Sequence, residues 1–143
     1  MKKTFQKHAP PFIFRIMKKE AIRSGNAPEP IGPYSQAIKA GGFLFASGQI
    51  AIDPATNQLL DGSLEDETNL VMKNIKAVLD EAGLDFSSII KCSIFLSSMD
   101  DFARVNEVYG SYFEAPYPAR ETVEVSKLPK GVRVEISFVA ITK

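Results

Sequence analysis

An arginine and a glutamate near the C-terminus are the residues best suited to chemistry in this sequence. Arg120 stands in "YPARETVEV" and Glu135 in "VRVEISFVAI". A guanidinium presents a planar fork of N–H donors that matches a carboxylate with two parallel bonds. A nearby carboxylate side chain can orient a water or a nitrogen. The pair therefore favours a site that holds a small carboxylate while a second group is oriented beside it.

The two segments are predicted strands, and their pairing decides whether these side chains meet. If they form a hairpin with Val125 opposite Val132, Thr122 lies opposite Glu135. Arg120 is then a diagonal neighbour of Glu135, within reach of long side chains. The alternative is a solvated sheet face on which these residues only form cross-strand ion pairs.

Histidine and cysteine are too scarce for several kinds of active site. His8 is the only histidine and Cys92 the only cysteine. This excludes a Ser-His-Asp triad, a Cys-His pair and a zinc cluster from the body of the chain. Cys92 lies in an apolar run, which predicts a buried, inert thiol.

Charge is distributed unevenly along the chain. Residues 1–19 carry six basic side chains and no acidic one, whereas residues 20–143 carry 11 basic and 17 acidic side chains, a net charge of −6. An acidic body disfavours nucleic-acid binding. We interpret residues 1–16 as a basic extension and residues 17–143 as the functional domain. No apolar run approaches the roughly 20 residues of a membrane span.

Two amphipathic helices are predicted. Apolar side chains recur at intervals of three and four from Leu64 to Ala82 and again from Phe102 to Phe113. Ser63 and Asp66 predict a capped start for the first helix, and Gly83 predicts its end.

Five strands are predicted around these helices. Two come first and are joined at Gly41-Gly42, a pair that favours a two-residue hairpin turn. One lies between the helices in "SIIKCSIFLSS", and two follow the second helix. The order β-β-α-β-α-β-β predicts an α+β domain, with two helices packed on one face of a mixed sheet. The other face must be solvated or covered by another subunit.

Six motifs in matching order resemble the RidA/YjgF family of small imine deaminases. They are "NAPEPIGPYSQA", "FASGQI", "AGLDFSSIIKCSIFL", "DFARVNEVYGSYF", "YPARETVEV" and "LPKGVRVEI". The resemblance implies a chorismate-mutase-like fold and a homotrimer with sites in the clefts between subunits. It also implies hydrolysis of 2-aminoacrylate/2-iminopropanoate and 2-iminobutanoate to 2-keto acids and ammonia. The resemblance further implies that pyridoxal-phosphate enzymes release these reactive intermediates and that their hydrolysis protects the same enzymes from damage.

The resemblance also implies roles for five residues. Arg120 matches the arginine that binds the substrate carboxylate, and Glu135 matches the glutamate that positions or activates the attacking water. Tyr34 matches a tyrosine that lines the cleft from the neighbouring subunit, and Gly48 matches a glycine whose backbone faces the ligand. Asn106 matches a signature asparagine that supports the site. The last three could equally be a packed aromatic, a bulge glycine and a helix-to-loop hydrogen bond.

One position departs from the family pattern. Many members carry cysteine where this chain has Thr122, so a thiol-dependent step there is excluded while a backbone contact to the substrate is kept. No cofactor is expected, because an imine is already electrophilic, and the expected location is cytoplasmic. Two rival functions stay open: a trimer that binds a small carboxylate without catalysis, and an RNA-directed activity.

Overall fold

A six-stranded mixed sheet carries two helices on one face. The computed structural model describes residues 18–143, so the interpretation of residues 1–16 as an extension lies outside the described residues. The elements in chain order are β1 Glu20–Ile22, β2 Ala37–Ala40, β3 Phe43–Gln49, β4 Ile52–Asp53, β5 Gln58–Leu59, α1 Leu64–Glu81, β6 Ile89–Leu96, α2 Phe102–Gly110, β7 Ala119–Glu124 and β8 Val134–Ile141. None of the helices in this part of the chain is long and apolar enough to cross a membrane.

The strand order in the sheet is β1-β2-β3-β8-β6-β7. Neighbouring strands run antiparallel, except that β7 runs parallel to β6. The predicted α+β class, with two helices and a mixed sheet, is confirmed. The sequence prediction missed β1 and the small β4–β5 hairpin, because strands of two or three residues are too short to show a period of two.

The first helix begins and ends as predicted. Ser63 Oγ accepts a hydrogen bond of 3.1 Å from the backbone N–H of Asp66, which satisfies one of the free N–H groups at the helix start. Gly83 has φ +71°, and the N–H of Leu84 then donates to the carbonyl of Leu79 at 2.9 Å. Glycine suits this position because other residues rarely adopt a positive φ.

The inner face of the sheet and both helices share one core. Alternate residues of β8 point into it, and Val134, Ile136 and Phe138 are all buried. The remaining large buried side chains of this core include Val71, Met72, Ile75, Val78, Leu79, Ile94, Leu96 and Val105.

The outer face of the sheet is not covered by any part of residues 18–143. Four large apolar side chains there are 39–51% exposed, namely Phe43, Phe45, Val123 and Ile141. Phe43, Phe45 and Ile141 are neighbours on β3 and β8, which makes this part of the outer face a candidate interaction surface.

The predicted hairpin between the last two strands is wrong. β6 lies between β7 and β8, so Arg120 pairs with Cys92 while Glu135 pairs with Phe95. Directly paired residues project to the same face, and side chains alternate along a strand. Because Cys92 and Phe95 are three positions apart, Arg120 points to the helix-covered face and Glu135 to the outer face. The predicted side-by-side placement of Arg120 and Glu135 within one chain is therefore also wrong.

The connection after β7 explains why the hairpin prediction failed. The N–H of Val125 donates to the carbonyl of Leu96 at 2.9 Å, and the N–H of Ser97 donates to the carbonyl of Arg133 at 3.0 Å. The end of β6 thus lies between the two ends of the 125–133 connection, which crosses over it. Helix α2 returns the chain so that β7 adds parallel to β6, as in other β-α-β units.

Candidate functional site

Arg120 lies on a neutral surface provided by α2. Its Nη1 donates a hydrogen bond of 2.6 Å to Asn106 Oδ1. Its Cζ lies 5.0 Å from the ring centroid of Tyr109 and 5.7 Å from that of Phe102. The three helix residues are four and three positions apart, so they share one face of α2.

The charge of Arg120 is not neutralised by any carboxylate of residues 18–143. No carboxylate among residues 18–143 forms a salt bridge with it, whereas Arg104 and Arg133 bind Glu65 and Glu67 at 2.7 and 2.6 Å. One side of the Arg120 guanidinium is held by Asn106, and the remaining donors are free for an anion. We define Arg120, Asn106 and Thr122 as the arginine surface.

Thr122 follows on the same face of β7. Its hydroxyl is buried and has no hydrogen-bond partner within the described chain, and the same is true of the Tyr109 hydroxyl. The Tyr109 hydroxyl lies beside the Cys92 thiol, and burial raises the pKa of both groups, that of Cys92 to about 11. The thiol therefore stays protonated at neutral pH, as predicted for a buried, inert cysteine.

Glu135 lies in a separate cleft that opens on the outer face. The cleft is lined by Tyr34, Gly48 and apolar side chains that include Ile31 and Ile50. Burial raises the pKa of Glu135, and its carboxylate has no hydrogen-bond partner within residues 18–143. We define Tyr34, Gly48 and Glu135 as the glutamate cleft.

Gly48 is next to Glu135 because of a close approach between β3 and β8. A Cβ on Gly48 would overlap the Oε1 atom of Glu135 and would lie 2.8 Å from its Cδ and 2.9 Å from its Cγ. Real Cβ atoms do not approach other atoms so closely. Glycine thus leaves the space that the Glu135 side chain occupies, at a bulge in β3 between Ala46 and Gln49.

The loop that carries Tyr34 is held by a buried glutamine. Gln36 Oε1 accepts from the N–H of Ser24 at 2.6 Å, and Gln36 Nε2 donates to the carbonyl of Pro28 at 2.9 Å. Ser47 Oγ donates to the carbonyl of Ser35 at 2.6 Å and so joins the loop to β3. Tyr34, which is 50% exposed, therefore stands at the open side of the glutamate cleft.

The six residues predicted from the sequence thus fall into two sets of three on opposite faces. The structure brings Asn106 to Arg120 and Gly48 to Glu135, but it does not bring the two sets together within one chain. Phe102 and Tyr109 were predicted only as core residues of α2. Their spacing around Asn106 on one helix face was the available signal for their contact with Arg120. No cluster of three His, Cys, Asp or Glu side chains in the described part is arranged to bind a metal.

Comparison with known proteins places this arrangement in a family. The family described as Endoribonuclease L-PSP matches residues 24–142. The chain belongs to this family, the RidA/YjgF family. The resemblance seen in the sequence motifs is therefore confirmed.

Named relatives and solved structures cover nearly the whole described chain. A RutC family protein of Pyrococcus horikoshii is 54% identical over 122 residues, which are 85% of this chain and 97% of the relative. A protein of Dermatophagoides farinae named 2-iminobutanoate/2-iminopropanoate deaminase is 41% identical over 123 residues, 86% of this chain and 96% of the relative. The structure of TdcF from E. coli with bound serine superposes with a TM-score of 0.82 at 38% identity, covering 87% of this chain and 98% of that one.

Proposed function

We propose that this RidA/YjgF family member hydrolyses reactive enamine and imine intermediates to 2-keto acids and ammonia. The substrates are 2-aminoacrylate/2-iminopropanoate and 2-iminobutanoate, and their removal in the cytoplasm protects pyridoxal-phosphate enzymes. The observation that carries the proposal is the Arg120 guanidinium, which is fixed by neutral partners and free of any carboxylate in residues 18–143. The name of the 41% identical deaminase supports the same reaction.

The complete site requires two copies of the chain. Arg120 and Glu135 of one chain point to opposite faces of the sheet, so an arginine surface meets a glutamate cleft only when the cleft belongs to another copy. The exposed apolar side chains on the outer face supply a surface for that contact. We infer a homotrimer with one site at each of its interfaces.

In this site Arg120 holds the carboxylate of the 2-imino acid. Each charge-assisted hydrogen bond contributes about 1.5–3 kcal/mol and orients the C=N carbon. Glu135 of the second copy accepts a proton from a water molecule as the water oxygen bonds to that carbon. Glu135 delivers this proton to the nitrogen, which gives a carbinolamine. The carbinolamine hydroxyl then gives its own proton through Glu135 to the nitrogen as the C=O bond forms and the C–N bond breaks, so ammonia leaves and a 2-keto acid remains. The net reaction consumes one water for each imine.

A coupled assay tests the reaction. Threonine dehydratase generates 2-iminobutanoate, and release of 2-ketobutyrate is followed with wild type, Arg120→Ala or no added protein. We expect acceleration by wild type only. Equal rates in all three samples, with the protein folded, would reject the deaminase.

A substitution of Glu135 distinguishes catalysis from binding alone. Glu135→Gln should keep the affinity for 2-ketobutyrate, which Arg120 holds, but lose turnover. If 2-ketobutyrate binds wild type but neither protein accelerates deamination, the chain is a carboxylate-binding protein.

Mixing two inactive variants tests the shared site. Arg120→Ala and Glu135→Ala are unfolded together in equal amounts and refolded, so that mixed trimers form. If each site takes Arg120 from one copy and Glu135 from the next, random assembly should leave about a quarter of the sites intact. Sites built within single chains would recover no activity.

We assign the activity to residues 17–143 and give the basic residues 1–16 no part in it. Deleting residues 1–16 should therefore leave the deamination rate unchanged. If binding of a single-stranded RNA is detected and is lost on the same deletion, the basic segment is responsible for it, as its charge predicts.

A further inference from the structure

We propose that the ring faces of Phe102 and Tyr109 are positioning elements that set the plane and location of the Arg120 guanidinium for carboxylate binding. This inference rests on the proposed function, in which Arg120 holds the substrate carboxylate. We call these two ring faces the aromatic bed.

The aromatic bed contacts Arg120 from one side of helix α2. The Cζ atom lies 5.0 Å from the Tyr109 centroid and 5.7 Å from the Phe102 centroid, both within the range of a cation–π contact. Tyr109 is 4% exposed and fixed in the core, where its ring centroid lies 4.7 Å from that of Phe113. Phe102 is 36% exposed, so it borders the open surface.

The bed and Asn106 together restrict Arg120 without neutralising it. Asn106 Oδ1 fixes one terminal nitrogen at 2.6 Å, and the two rings limit where the planar group can lie. A carboxylate in place of these groups would compete with the substrate for the same donors. Neutral π faces attract the cation and leave its N–H groups available to the ligand. The Arg120 side chain therefore loses less conformational entropy when the ligand binds.

The test uses Phe102, because its exposure makes replacement by leucine tolerable for folding. Phe102→Leu keeps an apolar side chain but removes the ring face. We expect the KM for 2-iminobutanoate and the Kd for 2-ketobutyrate to rise about two- to fivefold, with kcat unchanged. Phe102→Tyr restores a ring face and should return both constants to near the wild-type values.

A matched control is available at Phe86. This ring packs against Tyr112 at 5.3 Å and Phe113 at 5.5 Å and has no contact with Arg120 among the aromatic–cation pairs of the described chain. Phe86→Leu should leave KM and Kd unchanged. Thermal unfolding of all variants identifies any loss of stability.

The outcomes separate this inference from the proposed function. If Arg120→Ala is inactive but Phe102→Leu keeps the wild-type KM and Kd, the aromatic bed has no positioning role and the inference is rejected. A lower kcat with unchanged KM, or failure of Phe102→Tyr to restore binding, also rejects it. If Arg120→Ala is as active as wild type, the proposed function itself fails.

Discussion

Substitution of Gly48 by alanine tests how the glutamate cleft is built. The new Cβ would overlap Glu135 Oε1 and lie 2.8 Å from Cδ and 2.9 Å from Cγ. Since the near part of the side chain is involved as well as its tip, Glu135 must rotate as a whole. It has room to do so because it is only partly buried on the open outer face. We therefore expect a displaced carboxylate in a folded protein.

Gly48→Ala should change the free energy of unfolding only slightly but lower kcat strongly. An off-rotamer side chain costs about 0.5–1.5 kcal/mol. Replacement of a glycine by alanine at a permitted φ gains about 0.4–1 kcal/mol by restricting the unfolded chain. The free energy of unfolding should therefore stay within about 1 kcal/mol of wild type. Loss of a positioned general base should lower kcat about 10²- to 10⁴-fold.

The assay combines the dehydratase-coupled rate with urea unfolding. Gly25→Ala is the matched control, because a Cβ at Gly25 meets nothing within 4 Å. In a Glu135→Ala background the overlap between the new Cβ and the Glu135 side chain is absent. Gly48→Ala should then raise the free energy of unfolding by about 0.5 kcal/mol. Wild-type kcat in Gly48→Ala, or the same stability effect in both backgrounds, would refute the inferred contact between Gly48 and Glu135.

Three further predictions follow from individual side chains. Thr122→Val removes a buried hydroxyl without a partner in residues 18–143 and should raise the free energy of unfolding by about 1 kcal/mol in urea titrations. Burial raises the pKa of Glu135 above its ordinary 4.5, so the fold favours the protonated form, and this contribution is lost as pH rises through the raised pKa. In the dissociated single chain, which has no second copy's Arg120 beside Glu135, Glu135→Gln should therefore match wild type at about pH 3 and be more stable than wild type at neutral pH, and equal stability throughout would contradict this reasoning. Arg133→Ala leaves the buried Glu67 carboxylate with only the backbone N–H of residue 133 as a donor. The free energy of unfolding should fall by about 2 kcal/mol. This loss is smaller than for a fully buried ion pair because the Arg133 side chain is 42% exposed. A change below about 0.5 kcal/mol would show that this ion pair acts as an ordinary surface pair.

Local patterns in the sequence determined the two helices and the longer strands. The start of α1 at Ser63 and its end at Gly83 depend on neighbouring residues only, and the structure has both. The turn at Gly41-Gly42 is likewise local: both residues have positive φ, and β2 and β3 pair across it. Alternation in β8 puts Val134, Ile136 and Phe138 on one face because strand geometry fixes a period of two, and the structure buries all three.

Strand partnership was decided only by the tertiary structure. Alternation separates the two sets of side chains on one strand, but it does not say which strand lies alongside or which set faces the helices. A short connection between β7 and β8 fits a hairpin as well as it fits the observed crossing over the end of β6. The placement of β7 beside β6 depends on α2, which contributes Val105 and Tyr109 to the core that it shares with the sheet and returns the chain in the parallel direction.

This long-range choice determines what Arg120 and Glu135 can do. The sequence by itself placed Arg120 and Glu135 on successive predicted strands, with no histidine in the body of the chain. The fold placed Arg120 over Phe102 and Tyr109 and placed Glu135 on the other face beside Gly48. The physical reason is that both positions follow from non-local strand pairing, whose energy comes from the whole core and leaves no local pattern in the sequence.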